Sequence, residues 1–332
     1  MTTTLAVQDL TVRFRTGRSV VHAVNSVSFS VDRGRTIAIV GESGSGKSVT
    51  CLSVLGLLPT TAEVRGSVQL EGRELLTLRE AEARSVRGRE IGLVYQDPMA
   101  ALNPVRTIGA QVSEPLRLHL GMSRREAMAR AAELLDTVGI PAAHRQLKSF
   151  PHEFSGGMRQ RVVIAMAIAC QPKVLLADEP TTALDVSIQA QILELLKTLT
   201  SELQLSLVLV SHDMSVVAGL ADEVLVMYGG FVAEQGDALQ VFEHPAHPYT
   251  RGLLASIPDS APDPDAALVA IPGQPPDMRA IPEGCVFRAR CAYAFDRCVD
   301  RPTLSPLDDG HEAACWLEPE VKVAERTGYG TA

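Results

Sequence analysis

Residues 36–48 read TIAIVGESGSGKS: a short apolar run, a glycine-rich loop, and the start of a helical pattern. Gly41 to Ser48 match the spacing G-x-x-x-x-G-K-[ST], in the strand–loop–helix setting that this spacing needs in order to hold phosphate. Gly41, Gly44 and Gly46 allow backbone angles closed to other residues, so main-chain N–H groups can approach phosphate oxygens. The helix starting near Lys47 adds the positive end of its dipole. Lys47 can reach β- and γ-phosphates, and the Ser48 hydroxyl can join a Mg²⁺ shell. This points to nucleotide phosphate binding and does not by itself separate kinases, GTPases, ATPases and motors.

The chain around this loop has 332 residues, enough for about two domains and a sizeable core. With 46% hydrophobic and 21% charged residues, the composition is that of an ordinary globular protein. The formal charge of −8 has the wrong sign for a protein that holds a polyanion along its surface, so no nucleic-acid partner is expected. The longest unbroken apolar run, Val162 to Cys170, is far short of a membrane span. The opening MTTTLAVQDL lacks the basic start and apolar stretch of a secretion signal, so a cytosolic setting with reduced thiols is expected.

Apolar or alternating runs predict strands over 5–14, 20–31, 36–40 and 91–95, with a helix over 47–58 between the last two. From Arg106 to Val138 the pattern turns helical and reads as an inserted subdomain, followed by another helical stretch from Gly156 to Cys170. Strands are expected over 174–177, 207–211 and 223–228, the last closed by a Gly229–Gly230 turn, with a helix over 186–203. Strands alternating with helices imply an α/β fold whose parallel sheet is covered on both faces. Seven of the 20 prolines fall between Pro258 and Pro282, which marks a linker into a separate C-terminal module. Cys51 and Cys170, isolated in apolar helical patterns, read as buried structural thiols.

A second chemical element is VLLADEP, residues 174–180, a buried strand ending in two adjacent carboxylates. Successive strand residues point opposite ways, so the two acids take different jobs. Asp178 is suited to the Mg²⁺ shell, and Glu179 to orienting or deprotonating an attacking water.

Taken together the residues resemble the ATP-binding-cassette (ABC) ATPases. FSGGMRQR (154–161), shortly before VLLADEP, looks like that family's signature motif, and the remaining motifs follow in order. Gln96 in VYQDP resembles the glutamine loop, Ala183-Leu184-Asp185 the D-loop, and His212 in LVLVSHD the switch histidine. Phe14 is similar to the family's adenine-stacking aromatic. The resemblance narrows with DPMAALNP (97–104), HPYTRGLLASIP (247–258), IPGQPPDM (271–278) and GCVFRARC, which look like the oligopeptide/dipeptide importer subfamily. It covers essentially the whole chain.

The resemblance implies a P-loop ABC ATPase core with a mixed, mainly parallel sheet and flanking helices, formed by residues 1–96 and 166–257. Residues 97–165 would be the helical subdomain carrying the signature, and 258–332 the linker and a small Cys-rich module. The nucleotide would be bound by Phe14, by the loop residues Gly41, Glu42, Ser43, Gly44, Ser45, Gly46, Lys47, Ser48 and Val49, and by Ser155, Gly156, Gly157 and Asp185. Ser48, Gln96 and Asp178 would hold Mg²⁺, with Glu179, His212 and Gln96 catalytic. Two departures stand out: Met158 replaces the commoner Gln of the signature and cannot make its hydrogen bonds, and Val49 stands where many members carry a second hydroxyl.

It further implies two ATPase subunits facing head to tail, the second expected to be a different chain, with ATP between one subunit's phosphate loop and the other's signature segment. Two membrane-spanning permease subunits and an extracytoplasmic solute-binding protein would complete an importer, with this chain peripheral on the cytoplasmic membrane face. Its cargo would be peptides, with nickel or glutathione as alternatives.

Cys285, Cys291, Cys298 and Cys315 have the spacing C-x5-C-x6-C-x16-C, which matches neither zinc-ribbon pairs nor a ferredoxin run. Spacing leaves zinc, an iron–sulfur cluster and free thiols open, and a cytosolic setting disfavours disulfides. The importer resemblance favours a structural 4Fe-4S cluster, with Zn²⁺ as the alternative. His244, His247 and His311 read as surface or helix-end residues rather than metal ligands.

Overall fold

The computed structural model describes residues 2–17, 19–182, 184–257, 270–308 and 310–317. Ala183 of the expected D-loop, residues 258–269 of the expected linker and residues 318–332 lie outside the described residues. The chain opens with two long strands, β1 (Thr3–Thr16) and β2 (Ser19–Asp32), and the short β3 (Thr36–Val40), which feeds α1 (Lys47–Val54). Next come β4 (Ala62–Leu70), β5 (Arg73–Glu74), α2 (Glu80–Val86) and β6 (Ile91–Val94). A helical stretch follows with α3 (Pro98–Ala101), α4 (Ile108–Leu120), α5 (Arg124–Thr137), α6 (Ala143–Gln146) and α7 (Gly156–Ile168). Then come β7 (Val174–Asp178), α8 (Val186–Leu203), β8 (Ser206–Ser211), α9 (Met214–Ala218), β9 (Glu223–Tyr228) and β10 (Phe231–Asp237). Helices α10 (Ala238–Glu243) and α11 (Pro248–Ala255) and strands β11 (Ser305–Asp308) and β12 (His311–Ala313) end the series.

These elements fall into two compact units: the described residues within Met1–Leu5, Ser30–Thr36 and Gln69–Val210, and those within Ala6–Phe29, Ile37–Val68 and Ser211–Ala332. In the first unit β6, β7 and β8 pair in parallel, with Val94 opposite Ala177 and Asp178 opposite Val210. Every residue of β7 is buried, as its unbroken apolar run requires of a central parallel strand. The helical pattern expected over 106–138 holds two helices. Gly121, left-handed at φ 66°, closes α4, and a Ser123–Glu126 capping box opens α5. Helix α7 buries Val162 to Ala165 together with Ala167 and Ile168, the pattern of a helix surrounded by others. Cys51 and Cys170 are both buried, as expected of structural thiols.

In the second unit β3 pairs in parallel with β9, while β9, β10, β12 and β11 follow one another antiparallel, so the sheet is mixed. Gly229 and Gly230, at φ 53° and 76°, form the expected tight β9–β10 turn. The core gathers Ala38, Val40, Val224, Val226, Tyr228, Tyr249 and Phe287. Tyr228 and Phe287 meet edge to face at 5.1 Å between ring centroids, and Tyr228 and Tyr249 lie 4.6 Å apart.

Phe287 therefore corrects the expectation of a C-terminal module standing apart, because the segment lodges this ring, 1% exposed, in the core built by β3 and β9. His311 likewise differs from its surface reading: it is 4% exposed on β12, and its Nε2 lies 2.8 Å from Oε1 of Glu234, itself fully buried. His247 is a helix-end residue, capping α11 with Nδ1, yet it is buried too.

Candidate functional site

The five buried residues of β3 lead to Gly41 in the second unit, where the chain turns at φ 148°. A Cβ at Gly41 would sit 2.2 Å from the Met227 carbonyl oxygen, and one at Gly46 would sit 2.4 Å from that of Ala23, so neither position tolerates a side chain. Gly46, at φ 102°, is the cap residue from which α1 springs. Lys47 is 4% exposed, and its ammonium donates to the carbonyls of Gly41 at 2.7 Å and Glu42 at 2.9 Å, so it arches over its own loop. Ser45 Oγ is buried with no hydrogen-bond partner. Glycine-only backbone, a buried ammonium and an orphaned hydroxyl in one loop are groups that an anionic phosphate would satisfy. Ser43 and Gly44 are exposed, Ser48 and Val49 half-buried, and Phe14 is half-buried on β1. His212 follows the end of β8 and is exposed.

Glu42 is held on all its polar groups. Its backbone N–H donates to Tyr249 Oη at 2.8 Å, its carbonyl accepts from Lys47, and its carboxylate receives Arg290 through both Nη atoms at 2.6 and 3.0 Å. Arg290 is itself buried and donates to the carbonyls of Pro272 and Ile271. Burial pushes the Tyr249 phenol well above its ordinary range, so its hydroxyl stays neutral.

In the first unit Gln96 lies two residues past β6 and Asp178 is the last residue of the neighbouring β7. Asp178 is 9% exposed. The next residue, Glu179, is a non-glycine residue at φ 46°, a strained conformation fixed by its N–H donating to the Val210 carbonyl at 3.0 Å. Its Oε2 accepts from Gln96 Nε2 at 2.8 Å and from Thr182 Oγ1 at 3.0 Å. The residues expected as base and as glutamine loop are thus hydrogen-bonded to each other, and Thr182 is a partner that sequence reading missed.

Ser155 caps α7, accepting from the Met158 N–H. Gly157 is pressed against α8, where a Cβ would lie 2.6 Å from Ile188 Cγ2. Asp185 caps α8, accepting from the Ile188 N–H at 3.0 Å and the Ser187 hydroxyl at 2.7 Å, and the hydroxyl holds its carboxyl below the ordinary range.

Cys285, Cys291, Cys298 and Cys315 all line one small pocket of about 10 Å³, with Tyr293 and Trp316 on its wall. Burial raises the Cys285 thiol and pushes Cys291 up to about 12. Among the described residues no three His, Cys, Asp or Glu side chains are placed to hold a metal ion. The expected convergence of the four thiols is present, and metal-ligating geometry is not.

The ABC transporter profile matches residues 24–182, and the profile of the oligopeptide/dipeptide transporter C-terminal region matches 233–298. The oligopeptide transport ATP-binding protein OppD of Haemophilus influenzae is 48% identical over 316 residues, covering 95% of this chain and 98% of its own. The chain belongs to the OppD family of ABC transporter ATPases. OppD of Escherichia coli is 47% identical over 316 residues, spanning 95% of this chain and 94% of that one. Among solved structures, a dimeric post-hydrolysis ATP-binding cassette bound to ADP and Pi superposes with a TM-score of 0.63 at 30% identity, covering 70% of this chain and 98% of that one. CbiO1 from Clostridium perfringens, part of the CbiONQ transporter complex, gives 0.62 at 28%, covering 73% and 91%. OppD-family membership makes the fold a P-loop ABC ATPase with a mixed sheet and the chain an ATP-binding ATPase. No helix among the described residues is long and apolar enough to cross a membrane.

Proposed function

We propose that this chain hydrolyses ATP to power import of di- and oligopeptides, and that Glu179 is the base of the reaction. The observation that carries the chemistry is the Glu179 carboxylate, held by Gln96 and Thr182 on a strained backbone at the end of a buried strand. A carboxylate fixed in this way can orient and deprotonate a water without first reorganising. The loop from Gly41 to Val49 binds the phosphates, with Lys47 exchanging its two loop carbonyls for phosphate oxygens, Phe14 stacks the base, and His212 contacts the γ-phosphate.

Ser48, Gln96 and Asp178 supply a hydroxyl, an amide and a carboxylate, hard oxygen donors suited to Mg²⁺. When bound, Mg²⁺ neutralises charge on the transferring phosphoryl group. Ser155, Gly156, Gly157 and Asp185 act across a dimer on the nucleotide of a second ATPase subunit, and residues 97–165 transmit the dimer's closure to two permease subunits served by a solute-binding protein. In this reading the chain is peripheral on the cytoplasmic face of the membrane. The match of residues 233–298 to the oligopeptide/dipeptide transporter region and the names of the OppD relatives support the peptide cargo.

The four cysteines offer a soft thiolate donor set, suited to a structural 4Fe-4S cluster or to Zn²⁺. Their shared pocket supports one site rather than four independent thiols. Iron and acid-labile sulfide in anaerobically purified protein support the cluster, and stoichiometric zinc rejects it.

The ATPase reading is tested with Glu179→Gln in the reconstituted transporter. Turnover should fall by about a thousandfold while ATP binding is kept. An unchanged rate removes Glu179 as the base.

A further inference from the structure

Residue 42 is the second position of the phosphate loop, and it carries a negative charge where a polyphosphate must bind. An unneutralised carboxylate there opposes the incoming anion, and the half-buried setting screens it less than bulk water does. Arg290 answers that charge from a segment 248 residues away, and does so as a fork: Nη1 to Oε2 at 2.6 Å and Nη2 to Oε1 at 3.0 Å. The guanidinium side chain is only 4% exposed, and Nε is fixed by the Pro272 carbonyl at 2.8 Å, so the fork has one orientation. From its other side the loop is pinned by Tyr249 through the Glu42 N–H.

We propose that Arg290 is a positioning residue of the nucleotide site, neutralising and orienting Glu42 so that the phosphate loop accepts ATP. The inference rests on residues 41–48 being the nucleotide loop. It also links that loop to the cysteine pocket, because Arg290 is followed directly by Cys291 and the Arg290 N–H donates to the Phe287 carbonyl.

The full-length chain is titrated with Mg²⁺ and the fluorescent analogue mant-ATP at low and at high salt. Arg290→Met should raise Kd roughly tenfold at low salt and less at high salt, where the exposed carboxylate is screened. Adding Glu42→Gln to that variant should bring Kd back to within about threefold of wild type, because the charge needing neutralisation is gone. A role confined to stapling the C-terminal segment predicts the opposite, since the double variant still lacks the staple. Wild-type affinity in Arg290→Met, or a double variant no tighter than Arg290→Met, overturns the proposal. Should Arg290→Met fail to fold, Arg290→Lys decides: a Kd about threefold higher supports the fork, and unchanged binding at both salt concentrations overturns it. Lys47→Ala is the control for the underlying reading. If that variant binds mant-ATP as wild type does, the loop is not the nucleotide site and the proposal falls with it.

Discussion

The phosphate loop and the cysteine pocket both bring functional groups to a point, but the loop does so with consecutive residues and the pocket with side chains scattered from Cys285 to Cys315. In the loop, backbone angles at Gly41 and Gly46 and the start of α1 set the geometry, so positions are fixed by covalent neighbours. In the pocket, position depends on tertiary packing, above all on Phe287 lodged against Tyr228 and Tyr249. A site built from consecutive backbone should be most sensitive to local substitutions, and to distant ones only where they touch the loop itself, as Arg290 and Tyr249 do. A site built from packing should fail with its core.

The sharpest challenge to this contrast is Phe287→Ala, which should cost about 3–5 kcal/mol in denaturant unfolding and speed the reaction of buried Cys298 with a thiol reagent in the native state. If that thiol stays protected, the pocket does not depend on that ring. Lys47→Ala should act in the reverse sense, weakening ATP binding by about a hundredfold while cysteine reactivity is unchanged, read by calorimetry and thiol labelling of the same sample. Gly46→Ala should cost about 2 kcal/mol through strain alone, as its Cβ meets the Ala23 carbonyl at 2.4 Å, and a melting curve superposable on wild type would contradict that contact. Ser123→Ala, in a capping box belonging to neither site, should cost about 1 kcal/mol and leave both nucleotide binding and thiol reactivity alone.

The same division explains what could be read from the sequence. The β3–loop–α1 unit, the acidic end of β7 and the signature helix are local patterns, and each stands where the residues place it. Strand β10 escaped notice because FVAEQGD does not alternate as a half-buried strand should, and its Glu234 is polar yet wholly buried. Only the structure supplies the reason: Glu234 accepts from the N–H groups of Ala246 and His247, both at 2.8 Å, and faces His311. Tyr249 and Arg290 were legible only as letters within stretches resembling a family. Their partner Glu42 lies 207 and 248 residues away, a separation no local pattern reports. The cysteine spacing left free thiols as open as a metal site, and only the structure brings the four to one pocket; the Gln96–Glu179 hydrogen bond likewise joins two motifs that sequence order keeps apart.

Strand β12 lies along β10, and β11 lies outside β12 as the last strand of that sheet among the described residues. Its second residue is Pro306, which has no N–H to offer a further strand. The outermost rung therefore discourages growth of the sheet by another molecule, whereas cutting the chain before Ser305 would uncover the donors and acceptors of β10 and invite self-association.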